Sequence, residues 1–71
     1  MSVDNLIKMA NQIGQYFSTE SNHDLAVQGV QQHLQNFWTP AMRRELKDWQ
    51  EQHPGDELHA LVRAALAENV V

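Results

Sequence analysis

The sequence predicts an all-α domain, a small compact bundle of about four short helices. Apolar residues recur at steps of three and four, and no segment alternates as a half-buried strand does. Polar or proline-containing breaks at residues 18–22, 39–40 and 52–56 divide the chain into four segments of helical length. With 71 residues, 42% of them hydrophobic, there is material for one core and no second one, so a single domain spans residues 1–71.

The first helix runs from about residue 4 to about residue 18, with Ser2 or Asp4 as its N-cap. Leu6, Met9, Ala10, Ile13, Tyr16 and Phe17 share one face of it. The second opens at Ser21, where Ser21 and Asp24 form a shortened capping box with aspartate in place of the usual glutamate or glutamine. Val27, Val30, Leu34 and Phe37 make its apolar stripe, with His33 and Trp38 at the edges. Gly29 lies inside this helix at a cost of up to about 1 kcal/mol relative to alanine, which a close helix–helix approach would justify.

Thr39-Pro40 resets the chain, because proline disfavours helix for the residue before it and suits the first position of the next one. Thr39 is then the N-cap of the third helix, and Met42, Leu46, Trp49 and His53 form its buried stripe. The last helix begins near Asp56, which caps it, and carries Leu58, Leu61, Val62, Ala65 and Leu66 to a stop at Asn69. Short and last in the chain, it is expected to be the least secure element.

Composition removes several classes of function. A net charge of −4 and a pI near 5.3 argue against a nucleic-acid binder, including a helix-turn-helix reading of the Thr39-Pro40 junction. No apolar run reaches the roughly 18 residues of a membrane-spanning helix, and MSVDNLIKMA lacks the basic start and apolar core of a signal peptide. A cytoplasmic protein is expected. Cysteine is absent, so neither a disulfide nor a thiolate-bound zinc supports the core. A core of this size rarely supplies more than about 3 to 5 kcal/mol, which points to a partner chain and leaves a homodimer of the isolated chain open.

No catalytic constellation emerges. The histidines at 23, 33, 53 and 59 are never three or four apart, so no metal site is predicted. The serines lie in connectors or at the N-terminus, and Gly14, Gly29 and Gly55 make no phosphate loop.

One stretch stands out, FWTPAMRR at residues 37–44, which places Arg43 and Arg44 at the positive end of a helix dipole. Arg44 has Asp48 four residues on, whereas Arg43 has Leu46 and Lys47 at the neighbouring spacings and no local acid. Arg43 is therefore either solvated, paired with an acid from another helix, or a contact for an external anion at the helix N-terminus. Phe37 and Trp38 point about 100° apart on a helix, so one of them is a candidate for a bound surface, while Trp49 belongs to the core. Phe37, Trp38, Met42, Arg43 and Arg44 are the candidate partner-binding residues.

LIKMANQIGQYF, HLQNFWTPAMRR and LHALVRAAL, in that order, resemble the delta subunit of NAD-dependent formate dehydrogenases over nearly the whole chain. The most specific parts are residues 9–13, the FWxPxMR core and Leu61-Val62-Arg63 followed by Ala65-Leu66; Ala41 departs from an arginine usual after the proline, and residues 52–56 from a glycine-rich turn. The resemblance implies a non-catalytic accessory subunit. In such enzymes the large subunit carries a molybdenum or tungsten bis-pterin guanine dinucleotide cofactor and oxidises formate, and other subunits carry iron–sulfur clusters, flavin and the NAD site. This chain would bind the large subunit and support assembly or stability, holding no cofactor itself. The alternative is a maturation factor that contacts the phosphates of the bis-pterin guanine dinucleotide cofactor transiently through Arg43, Arg44 and the N-terminus of the third helix.

Overall fold

The computed structural model describes residues 2–68, in which four helices follow one another: α1 (Val3–Phe17), α2 (His23–Phe37), α3 (Pro40–Gln52) and α4 (Ala60–Ala67). Each starts where a side chain takes up a free backbone N–H. Ser2 Oγ accepts from Asn5 N–H at 3.3 Å, Asn22 Oδ1 from Leu25 N–H at 3.1 Å and Thr39 Oγ1 from Met42 N–H at 3.2 Å. For α4 the acceptor is an imidazole: His59 Nδ1 receives Leu61 N–H at 3.1 Å.

These caps correct two boundaries. The second helix is capped by Asn22 rather than Ser21, and the carboxylate that completes the turn is Glu20, whose Oε1 accepts from Asn22 N–H at 2.9 Å. The fourth begins at Ala60, not near Asp56, and His59 caps it. Asn11 accounts for the later start: its Nδ2 donates to the Glu57 carbonyl at 3.0 Å and its Oδ1 accepts from His59 N–H at 2.8 Å. A side chain on α1 thus holds residues 57 and 59 from the side, as a neighbouring strand would, and keeps their backbone groups out of a helix. Leu58, between them, is fully buried although it lies outside any helix. The expected stop at Asn69 lies outside the described residues.

The core gathers Leu6 of α1, Val27, Val30 and Leu34 of α2, Leu46 of α3, and Leu58 with Val62 from the last segment. Far from being loosely held, α4 buries Leu61, Val62, Ala65 and Leu66 and packs chiefly against α2. Two polar ties flank it: Arg63 Nε donates to the Leu58 carbonyl at 3.1 Å and buried Gln31 Nε2 to the Ala65 carbonyl at 3.4 Å. On α1 the buried face is Leu6, Ile7, Ala10, Ile13 and Gly14, with Met9 and Phe17 partly buried against the core; Ile7 lies outside the expected stripe, and Tyr16, expected on it, is 73% exposed. On α3 only Leu46 is fully inside; Met42 and Trp49 are partly buried against the core, and His53 is exposed, stacked on Trp49 with ring centroids 4.6 Å apart. No described helix is long and apolar enough to cross a membrane.

Two glycines permit close contact. A Cβ on Gly29 would lie 2.5 Å from the Phe17 ring, so the expected close approach is real and consists of an α1 ring laid on the α2 backbone. A Cβ on Gly14 would lie 2.6 Å from His59 Cγ.

Gly14→Ala therefore sets a helix-propensity gain of up to about 1 kcal/mol against an overpacking cost of about 1 to 3 kcal/mol, and a net loss of about 1 kcal/mol is expected. Gly55, with open space around it, is the control: Gly55→Ala leaves stability unchanged or raised by up to about 1 kcal/mol. Asn11→Ala removes two hydrogen bonds, one exposed and one part-buried, and lowers stability by about 1 to 2 kcal/mol. Thermal unfolding of the three variants checks this, at about 4 to 8 °C per kcal/mol for a domain of this size.

Candidate functional site

The junction of α2 and α3 begins as a problem in backbone chemistry. A helix leaves its last carbonyls without partners, and α2 has neither a basic residue in its last turn nor a glycine after it. Trp38 follows in extended conformation (φ −103°, ψ 146°), and Thr39 and Pro40 start α3 at once. One turn further, Arg43 reaches back. Its Nη1 donates to the Trp38 carbonyl at 2.7 Å and to the Leu34 carbonyl at 3.2 Å, with a longer contact to Gln35 at 3.5 Å. An arginine at the unfavourable end of its own helix is at the favourable end of the preceding one, where cations meet the negative pole of the dipole.

Arg43 thus has internal partners that its own helix could not reveal: main-chain oxygens rather than a carboxylate. Its Nε is buried and has no hydrogen-bond partner among the described residues. Arg44 is exposed, and no ion pair joins it to Asp48 among the described residues.

The same junction sorts the aromatics. Trp38 turns into the core, 5% exposed, while Phe37 is 73% exposed. That reverses the sequence expectation, which put Phe37 on the buried stripe and Trp38 at its edge. Of the five candidate partner-binding residues, Trp38 is buried, Met42 packs partly against the core, Arg43 closes α2, and Phe37 and Arg44 remain at the surface.

Beside Phe37 lies an open groove of about 720 Å³. Met9, Gln12, Ile13, Tyr16 and Phe17 of α1 form one wall, and His33, Phe37 and Trp38 at the end of α2 form the other. Its rings touch in series. Tyr16 meets Phe17 edge to face at 4.9 Å, Phe17 meets His33 at 6.3 Å, and His33 meets Phe37 at 4.8 Å. Apart from the histidine no groove residue can carry charge at neutral pH. The α1 half of this surface does not follow from the sequence stripe, which places both Tyr16 and Phe17 in the core. The signal was available: like Phe37 and Trp38, they are adjacent aromatics at a helix end that cannot both face inward. No group of histidine and acidic side chains among the described residues could hold a metal ion.

In comparisons with known proteins, the family model described as NADH-dependent formate dehydrogenase delta subunit FdsD matches residues 5–66. That span includes every groove residue and Arg43. No curated protein and no solved structure matches the chain.

Replacing Arg43 by methionine keeps much of the apolar stem and removes the donors. A loss of about 1.5 to 3 kcal/mol is expected in chemical denaturation, as for hydrogen bonds from a charged group. Arg43→Lys, with a point charge and no planar fork, should fall between. A loss below about 0.5 kcal/mol for the methionine variant, the level of an ordinary surface change, would contradict a structural role.

Proposed function

The chain belongs to the FdsD family of NADH-dependent formate dehydrogenase delta subunits, and from that membership we propose a non-catalytic accessory subunit that docks on the large catalytic subunit of a molybdenum- or tungsten-dependent enzyme. Docking supports the assembly or stability of the complex, and the contact is made by the aromatic groove. The observation that carries this reading is the pair Tyr16 and Phe37, each 73% exposed, flanking a concave surface on so small a domain. Large aromatics in an exposed cluster are what binding surfaces concentrate, and truncating such anchors removes most of the affinity.

The alternative, transient contact with the phosphates of the bis-pterin guanine dinucleotide cofactor during its insertion, relied on Arg43 at the α3 N-terminus. With its guanidinium engaged by main-chain carbonyls, Arg43 lends that reading little, and Arg44 alone is a weak anchor. Docking accounts for more of the surface.

Co-purification tests the proposal. A tagged chain produced in its native cell should recover the large subunit, and Tyr16→Ser with Phe37→Ser should reduce recovery at least about tenfold, as expected when two anchors worth about 1 kcal/mol or more each are lost. Neither exposed substitution should change stability by more than about 0.5 kcal/mol. Undiminished recovery by the stably folded double variant would remove the groove from the contact, and recovery of no dehydrogenase subunit by the native chain would remove the docking role itself.

A further inference from the structure

The groove does not end at Phe17. A second depression of about 410 Å³, lined by Tyr16, Phe17, Thr19 and Glu20, shares two of its walls with the first. Together they make a track along the end of α1, aromatic and uncharged over most of its course, with one carboxylate at the far end. Glu20 is exposed, and among the described residues only its Oε1 accepts a hydrogen bond, from Asn22 N–H.

The polar groups along the track choose between kinds of occupant. The Gln12 amide, the Tyr16 hydroxyl, the His33 ring nitrogens and the Trp38 indole Nε1–H have no hydrogen-bond partner among the described residues. A docked α-helix satisfies its own backbone and has no free carbonyls for these donors except at its end. A polyproline-type segment has no internal hydrogen bonds, presents carbonyls along its length and fits between aromatic rings.

We infer that the track receives an extended, proline-bearing segment with a lysine or arginine at the Glu20 end. The inference rests on the docking reading above and identifies the part of the large subunit that enters. The apolar residues of the segment lie between Tyr16, Phe17 and Phe37, its carbonyls meet the Trp38 indole and the Tyr16 hydroxyl, and its basic side chain meets Glu20. An uncharged track ending in a carboxylate selects against acidic side chains throughout, because an unpaired charge buried here would lose its hydration.

The test uses the full chain, labelled with ¹⁵N, and an array of overlapping fifteen-residue peptides that covers the large subunit. Peptides containing proline and a nearby lysine or arginine should bind and shift the Trp38 indole Nε1–H resonance downfield, assigned against Trp49→Phe. Phe37→Ser should weaken them at least tenfold. Glu20→Gln keeps an acceptor for Asn22 N–H, removes the charge, and should weaken them at least threefold with a flatter salt dependence. Binders that turn helical by circular dichroism, or that leave the indole resonance in place, would overturn the inference. So would shifts that grow with protein concentration in the absence of peptide, which would identify a second copy as the occupant. If no peptide binds while the tagged chain still retains the large subunit, the extended segment is refuted and docking stands; if the chain retains no large subunit either, docking fails with it.

Discussion

The corner between α2 and α3 depends on the Arg43 guanidinium lying across the carbonyls that close α2. α2 ends with neither a glycine nor a basic residue in its last turn, and only two residues separate it from the next helix. Arg43 supplies the donors from the first turns of α3, tying the two helices at a fixed corner. With the corner set, Trp38 is held in the core and Phe37 outside it. The charge placement that looks misplaced along the sequence is correct in space.

The exposed aromatics carry an energetic implication. Burying a phenylalanine-sized side chain is worth about 1.5 to 3 kcal/mol, and a core of this size rarely supplies more than about 3 to 5 kcal/mol in total. Leaving both Tyr16 and Phe37 in solvent is therefore a large concession for a chain of 71 residues. Docking through the groove would recover that burial at the interface, which gives a physical reason for a delta subunit to be more stable in its complex than alone. The domain needs few internal resources if part of its core is completed by another chain.

Local chemistry was legible in the sequence, and long-range chemistry was not. The all-α class, the number of helices, the Thr39-Pro40 start of α3 and the close approach at Gly29 all follow from residues within one turn of each other. Phe37 and Trp38 were exchanged because helical geometry was extended one residue too far: Trp38 lies past the end of α2 in extended backbone, where the 100° step no longer decides its direction. The start of α4 was misplaced because Leu58 fits the apolar spacing of a helix it does not belong to, and the clasp that holds it out of that helix comes from Asn11, 46 positions away from Glu57. Arg43 could not be resolved by neighbours at three and four positions, since its partners are main-chain atoms of the preceding helix. Of the two aromatics that the groove leaves in solvent, the sequence names Phe37 only as one of a pair from which one is exposed, and it places Tyr16 in the core. Both are aromatics beside an aromatic, and only packing decides which of each pair is left outside.

If the proposed docking is right, the groove face, rather than the polar outer face of α3, meets the large subunit. Site-specific photo-crosslinking within the assembled complex tests it most directly, with a benzoylphenylalanine placed at Phe37 in one variant and at Asp48, exposed on α3, in another. Crosslinks to the large subunit from position 37 and none from position 48 are predicted. Crosslinks from position 48 alone would place the contact on α3 and contradict the account.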